Sequence, residues 1–233
     1  MAFTFFIVGA GRSGTSLLAA MVDQHPALRC GMEVESVHCL GGKSTNVFKR
    51  DSAQLRLACF EKACEQHASQ WPFQWGNKLT TEQIGFLDDL TNKQSAEVFF
   101  NHFSTQKIIY VLRDGRSCIP SKMQRKGKTL EAATASWRQS LVMLEVLQAS
   151  FSKRLYLLKF EDLLSDPAFH LSAVAKFLGE EYHPQMLEGA DSPILPEIYQ
   201  GQGGLQTEKA HPPVREDWHV EIETELRRWG YLL

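Results

Sequence analysis

The sequence predicts an α/β fold, with a parallel sheet between two layers of helices, over a single domain of residues 1–233. Short apolar runs alternate along the chain with longer helical patterns, which is the arrangement of parallel strands joined by right-handed crossovers. One run, 107–112, is apolar at nearly every position, as expected of a strand covered on both faces. Together these observations predict a three-layer sheet.

The elements are assigned in chain order from the same patterns. Strands are predicted at 3–8, 107–112 and 154–160. Helices are predicted at 14–24, 51–69, 81–91, 94–102, 115–125, 129–151 and 167–178. The segments 25–50 and 189–217 are predicted to be loops, the second because it is rich in Gly, Pro and Gln. The aromatic segment 71–78 is not assigned to a strand or a helix.

Composition excludes several classes of function. The net charge of −2 gives no global attraction to nucleic acid or to anionic membranes, so any anion site must be a local cluster. No apolar stretch reaches the ~18–20 residues of a membrane span, and no basic segment precedes the first apolar run as in a signal peptide. The five cysteines lack CxxC spacing, which argues against a zinc site or a disulfide framework. We therefore expect a protein without a membrane span, a signal peptide or a metal site.

The most informative stretch begins at the first strand. Apolar residues 5–8 lead directly into Gly9-Ala-Gly-Arg-Ser-Gly-Thr-Ser16, and a helical pattern follows. Backbone N–H groups of such a turn and the positive end of the helix dipole converge on one anion, which predicts a P-loop-like phosphate site. A P-loop NTPase would have lysine where this chain has Thr15, and the nearby cation is Arg12. The turn suits a phosphate or sulfate better than a magnesium triphosphate.

Three blocks resemble the sulfotransferases that use 3′-phosphoadenosine 5′-phosphosulfate (PAPS) as donor. The first runs from Arg12 to Glu33 and is similar to the tyrosylprotein branch, which reads Arg-Ser-Gly-Thr-Thr-Leu, Asp-x-His-Pro and Arg-Cys-Gly-Glu-Glu. The other two are Ile108–Ser121 and Tyr156–Pro167, and they follow in the family's order. The resemblance implies a P-loop-like sulfotransferase fold with PAPS as co-substrate and 3′-phosphoadenosine 5′-phosphate (PAP) as product.

The resemblance also implies a set of donor-binding residues. The 5′-phosphosulfate would contact the first loop, and the 3′-phosphate would contact the second block. The residues concerned are Arg12, Ser13, Gly14, Thr15 and Ser16 in the loop, Arg113 and Ser121 in the second block, and Lys209 near the C-terminus. Lys209 rests on a loose match to the place where relatives close over the nucleotide.

Three residues are the expected catalytic groups. Glu33 matches the family's general base, and Lys78 matches a lysine that stabilises the bridging oxygen and the transferring sulfate. Arg12 would contact the 5′-phosphate and the sulfate. The implied reaction is in-line transfer of a sulfuryl group to a hydroxyl acceptor, with carbohydrate, small-molecule and tyrosyl acceptors all open. Glu35 replaces a basic residue that helps the tyrosylprotein enzymes to bind acidic peptides.

Structural roles remain as alternatives for each residue. Ser13 could cap a plain helix, Arg113 could lie on the surface beside a capping Asp114, Glu33 could be a solvated carboxylate, and Lys78 could extend to solvent. For the whole chain the alternatives are a P-loop small-molecule kinase and a non-catalytic nucleotide-binding module. The oligomeric state is open, a homodimer included.

The resemblance bears on one cysteine as well. In the secretory tyrosylprotein enzymes a cysteine matching Cys30 pairs with one that matches position 76, where this chain has Gly76. The missing partner supports a reduced thiol and a cytoplasmic setting.

Overall fold

The computed structural model describes residues 3–41, 53–87, 92–195, 205 and 216–232. Five strands in this part of the chain form one sheet in which all neighbours are parallel. The strands are β1 Phe3–Gly9, β2 Leu28–Met32, β3 Gln74–Thr80, β4 Lys107–Leu112 and β5 Leu155–Lys159. Their spatial order is β2-β3-β1-β4-β5. The predicted parallel α/β fold is confirmed.

Helices connect these strands. They are α1 Thr15–Asp23, α2 Ser36–Cys39, α3 Ala53–Ala68, α4 Thr81–Ile84, α5 Asn92–His102, α6 Gly115–Lys126, α7 Leu130–Ser150, α8 Phe160–Ser165, α9 Pro167–Leu178 and α10 Glu223–Arg228. Short 3₁₀ segments lie at Ser152–Arg154, Pro184–Asp191 and Asp217–Ile222.

The side chains of the strands alternate between two buried clusters. In β1, Phe6 and Val8 belong to one cluster, whereas Phe5 and Ile7 belong to the other. The first cluster also contains apolar residues of α3, α5 and α7, and the second contains those of α1, α8 and α9. The sheet is therefore covered on both faces, and the three-layer prediction is confirmed.

Two strands lie where none was predicted. The predicted loop over 25–50 is wrong for its described part, which contains β2 and α2. The aromatic segment 71–78, which was not assigned, contains the first five residues of β3. This strand lies inside the sheet between β2 and β1. Both strands carry polar or small residues that hide the apolar pattern of a strand. Asn77 and Lys78 of β3 are nonetheless buried, because each has hydrogen-bond partners.

The predicted helices differ from the structure mainly at their ends. The helix expected at 81–91 is wrong in length, because α4 ends at Ile84, and residues 88–91 lie outside the described part of the chain. α8 forms immediately after β5, where no helix was predicted. The other predicted helices are confirmed to within two residues at each described end. Most of the predicted loop 189–217 lies outside the described residues.

The short helix α4 connects the first loop to two helices through one carboxylate. Glu82 Oε2 accepts a hydrogen bond from the Gly11 N–H at 3.0 Å. Its Oε1 accepts from Lys122 Nζ of α6 and, at 2.9 Å, from Ser136 Oγ of α7. Burial alone would raise the pKa of Glu82, but the Lys122 charge and the hydrogen bonds from Lys122 and Gly11 outweigh it and lower the pKa to about 2.

The lowered pKa makes this contact a stabilising one at neutral pH. Because the pKa of Glu82 is lower in the folded chain than in the unfolded chain, its contribution is complete above pH ~5 and is lost as the pH falls toward 2. We expect Glu82→Gln to lower the free energy of unfolding at pH 7 by about 3 kcal/mol, since it leaves the buried Lys122 ammonium without its counter-ion. Urea unfolding at pH 7 and pH 3 measures the difference, which should shrink at pH 3.

The double variant Glu82→Gln/Lys122→Met is the matched control. It removes both charges together, so it should recover much of the stability that the single variant loses. A single variant as stable as the parent at pH 7 would contradict the structural role of Glu82.

Candidate active site

The loop after β1 has the backbone of an anion site. Arg12 and Gly14 have positive φ angles of 76° and 93°, and the Ser13 N–H donates to the Ala10 carbonyl at 3.0 Å. A Cβ atom on Gly14 would lie 2.1 Å from a carbon of the Phe160 ring. Only glycine meets both the conformational and the steric requirement at this position.

The first turn of α1 faces this loop without a side-chain cap. Gly14 is the N-cap residue, and no side chain in the described part of the chain caps the helix. The predicted alternative that Ser13 caps a plain helix is therefore wrong. The Ser13 hydroxyl is buried and has no hydrogen-bond partner among the described residues. The N–H groups at Thr15 and Ser16 and this hydroxyl can all donate to an anion.

Guanidinium groups surround the same loop. Arg12 Nε donates to Ser121 Oγ at 2.9 Å, and Arg113 Nη1 donates to the Arg12 carbonyl at 2.8 Å. Burial lowers the pKa of Arg12, and the positive charges of Arg125 and Arg113 lower it further. Three cations that repel one another in this way make a local site for a polyanion.

Contacts with residues of several elements hold Arg113 in position. Its guanidinium lies over the Phe160 ring, 4.7 Å from the ring centroid, and its carbonyl accepts from Trp137 Nε1 at 3.2 Å. Its Nε atom is buried without a hydrogen-bond partner among the described residues. Asp114 does cap α6, as one alternative predicted, and Arg116 forms a two-point contact with it. Arg113 is half-buried, and its contacts with the Arg12 carbonyl and the Phe160 ring place its guanidinium beside the loop.

Two residues beside the phosphate loop, Arg125 and Phe160, were not identified from the sequence. Arg125 lies four residues after Ser121 on α6, and that spacing places both on one helix face, so it could have been found. Phe160 could not, because nothing in its local sequence indicates that its ring packs against Gly14 and supports Arg113.

A second cluster forms around Glu33, in the turn after β2. Glu33 has a φ of 60°, and its N–H donates to the Lys78 carbonyl at 2.9 Å. Its carboxylate accepts from Lys78 Nζ at Oε1 and from Gln83 Nε2 at Oε2, the latter at 2.7 Å. The Lys78 side chain is only 6% exposed, whereas that of Glu33 is 37% exposed. The carboxylate is therefore held from inside the protein and reaches the surface.

Neighbouring amides hold this cluster in place. Asn77 Nδ2 donates to the Val34 carbonyl at 3.0 Å, and Asn77 Oδ1 accepts from the Val34 N–H at 3.1 Å. Gln83 Oε1 accepts from the Thr80 N–H at 2.8 Å, which orients the Gln83 amide toward Glu33. Gln83 was missed in the sequence, where it resembles an ordinary residue of a helical first turn.

The two clusters lie at the carboxyl ends of adjacent strands. Gly9 of β1 and Thr80 of β3 are register partners, so the phosphate loop and α4 begin side by side. Within α4, Glu82 contacts Gly11 of the loop and Gln83 contacts Glu33. The carboxyl edge of a parallel sheet is where ligands bind in open α/β folds. One site can therefore hold an anion at the arginines and a reacting group at Glu33 and Lys78.

One predicted donor-binding residue, Lys209, lies outside the described residues. The histidine of the Asp-x-His-Pro motif, His25, has a structural role. Its Nδ1 accepts from the Ala27 N–H at 3.1 Å, and its Nε2 lies 2.8 Å from the Glu181 carbonyl.

Position 76 has no room for a cysteine. Cys30 carries a free thiol and is the register partner of Gly76, where a Cβ atom would lie 2.2 Å from the Phe5 ring.

No helix within the described ranges has the length and apolar character needed to cross a bilayer.

Comparison with known proteins identifies relatives of the same kind. The model of a family described as the sulfotransferase family matches residues 4–184. The chain is 26% identical over 197 residues to a protein-tyrosine sulfotransferase of Drosophila melanogaster, an alignment that covers 78% of this chain and 39% of that protein. It is 25% identical over 199 residues to protein-tyrosine sulfotransferase 2 of Gallus gallus, covering 78% and 52%. The chain thus spans about half or less of the length of these relatives.

Solved structures share the fold. A sulfotransferase domain from the curacin biosynthetic pathway matches with a TM-score of 0.67 at 17% identity, covering 97% of this chain and 98% of that one. A sulfotransferase domain from the olefin synthase of Synechococcus PCC 7002 matches with a TM-score of 0.69 at 16% identity, covering 100% and 96%. The fold agrees with the family model, which matches more than half of the chain, and the chain therefore belongs to the sulfotransferase family.

Proposed function

We propose that this chain is a PAPS-dependent sulfotransferase that transfers a sulfuryl group to a hydroxyl acceptor. The observation that carries the proposal is the meeting of two clusters at one sheet edge: an arginine-rich phosphate loop, and a carboxylate held by a buried lysine. The tyrosylprotein relatives support sulfuryl transfer as the reaction class, but they leave the acceptor open.

The donor is expected to bind along the phosphate loop. The buried Ser13 hydroxyl and Arg113 Nε lack partners among the described residues, so both have a hydrogen bond to give to a phosphate or sulfate oxygen. We assign the 5′-phosphosulfate to Arg12 and the first turn of α1, and the 3′-phosphate to Arg113 and Ser121. Arg125 would add positive charge on the 3′ side, because it lies one helical turn after Ser121 on α6.

The reaction needs proton removal at one side of the sulfur and charge stabilisation at the other. The acceptor oxygen forms a bond to sulfur while the bond from sulfur to the bridging phosphate oxygen breaks. Glu33 would take the acceptor proton, and Lys78 would stabilise the charge that develops on the bridging oxygen and the sulfate. In the present structure Lys78 binds Glu33 itself, so it must turn from the carboxylate to the donor when both substrates are bound.

We expect Arg113→Ala to weaken PAP binding about 10–100-fold more than it weakens binding of adenosine 5′-phosphate. The reason is the loss of a charge-assisted contact, worth ~1.5–3 kcal/mol, that only the 3′-phosphate can make. Titration calorimetry with the two nucleotides measures the difference.

Arg138→Ala is the control for a general loss of positive charge. Arg138 lies on the exposed side of α7 and pairs with Glu225. The Arg138→Ala variant should bind PAP and adenosine 5′-phosphate with the same ratio of affinities as the parent protein. If Arg113→Ala weakened both nucleotides equally, Arg113 would not be the 3′-phosphate contact.

Glu33→Gln tests the proposed base. The amide keeps the size of the side chain but cannot take a proton at neutral pH, so sulfuryl transfer should fall by ~10²–10⁴-fold. PAP affinity should stay close to that of the parent, because the donor contacts are made elsewhere. Transfer is measured as PAP formed from PAPS with a hydroxyl acceptor chosen from a screen of phenols, sugars and small alcohols.

Glu35→Gln makes the same chemical change two residues away, on an exposed side chain. It should retain near-normal transfer with the same acceptor. Near-normal transfer by Glu33→Gln would show that Glu33 is not the base. A parent protein that binds PAP but transfers to no acceptor in the screen would favour a nucleotide-binding module.

A further inference from the structure

Two cysteines outside the proposed active site lie in direct contact. Cys39 is the last residue of α2 and Cys59 lies within α3, and their Sγ atoms are 2.9 Å apart. A disulfide has an S–S distance of about 2.05 Å, so bond formation needs an approach of about 0.9 Å. The two helices already pack against each other.

The pair is accessible from one side. Both cysteines line a surface groove of about 470 Å³, together with His38, Lys62 and His67. Cys39 is buried, 4% exposed, whereas Cys59 is partly exposed. Burial and, after it, the hydrogen bond with Cys59 raise the pKa of Cys39 well above its ordinary value. Cys59 is therefore the thiol that an oxidant in solution can reach, and Cys39 is the buried thiol that can then react with the oxidised Cys59.

We propose that Cys39 and Cys59 form a modification site, a dithiol that a hydroperoxide converts reversibly into an intramolecular disulfide. This modification site does not depend on the proposed sulfotransferase activity, but it lies close to the proposed active site. Ser36, one helical turn before Cys39, donates to the Glu33 carbonyl from its N–H at 3.2 Å and from Oγ at 2.9 Å. Crosslinking would thus occur at the helix that begins on the Glu33 turn.

The chemistry balances with a hydroperoxide as the oxidant. The Cys59 thiolate attacks one peroxide oxygen, the O–O bond breaks, and Cys59 becomes a sulfenic acid as water or an alcohol leaves. Cys39 sulfur then attacks Cys59 sulfur, the S–O bond breaks, and the hydroxyl group of the sulfenic acid leaves as water with the Cys39 proton. The two thiols lose two electrons and two protons, and the peroxide is reduced. A dithiol reductant reverses the reaction by thiol–disulfide exchange.

The other described cysteines are less suited to pairing. Cys30 and Cys118 are buried, and their Sγ atoms lie 3.7 Å and 3.6 Å from backbone carbonyls. Cys64 is a further candidate partner, because its charge contributes to the raised pKa of Cys39. Its sulfur, however, is buried and accepts a hydrogen bond from Asn77 Nδ2 at 3.5 Å.

Thiol counting and peptide mapping test the site. The reduced chain has five thiols. One equivalent of hydrogen peroxide should leave three thiols in the denatured monomer, with a mass lower by two hydrogens, and dithiothreitol should restore all five. Digestion after alkylation should yield one linked pair of peptides that joins Cys39 to Cys59.

Variants locate the bond. Cys59→Ser and, separately, Cys39→Ala should each keep their four remaining thiols free of intramolecular disulfide under the same treatment. Cys30→Ala, the matched control, should fall from four thiols to two. The proposal is overturned if the parent chain forms no intramolecular disulfide, if Cys59→Ser still forms one, or if the linked peptides contain Cys64 instead of Cys39 or Cys59.

Discussion

The position of β3 between β1 and β2 is the constraint on which the site depends. Parallel pairing on both sides aligns the carboxyl ends of three strands, so the phosphate loop, α4 and the Glu33 turn emerge next to one another. Lys78 is the register partner of both Ile7 and Met32, so its ammonium reaches Glu33 at the end of the neighbouring strand. A shift of one residue in this pairing would move Lys78 to the opposite face of the sheet.

Strained backbone marks both parts of the site. Arg12, Glu33 and Glu35 are the described non-glycine residues with positive φ, at 76°, 60° and 54°. Each such conformation costs about 1–3 kcal/mol and persists only where surrounding contacts hold it. Here the Arg12 carbonyl accepts from Arg113, and the Glu33 N–H donates to the Lys78 carbonyl. These strained conformations lower the stability of the fold, and they hold the Arg12 guanidinium and the Glu33 carboxylate in fixed directions.

The sequence predicted the layered fold and the residues of the phosphate loop because those signals are local. Gly14 beside an apolar strand and the apolar run 107–112 need no knowledge of distant contacts. β3 was missed because its polar residues Asn77 and Lys78 have hydrogen-bond partners in the Glu33 turn, 43 and 45 positions away in the chain, and these partners cannot be read from the local sequence. Glu82 and Gln83 were missed for the same reason. The hidden part of the site is the part made by nonlocal contacts.

The most direct test of the central claim compares two nucleotides on the unmodified chain. At a thousand times its dissociation constant, PAP should stabilise the protein by about 4 kcal/mol, which raises Tm by roughly 8–16 °C for a chain of this size. ATP with magnesium at the same concentration should raise Tm far less, since Thr15 stands where a triphosphate site needs lysine and ATP lacks a 3′-phosphate. Equal or greater stabilisation by ATP with magnesium would contradict the assignment of this sheet edge to PAPS.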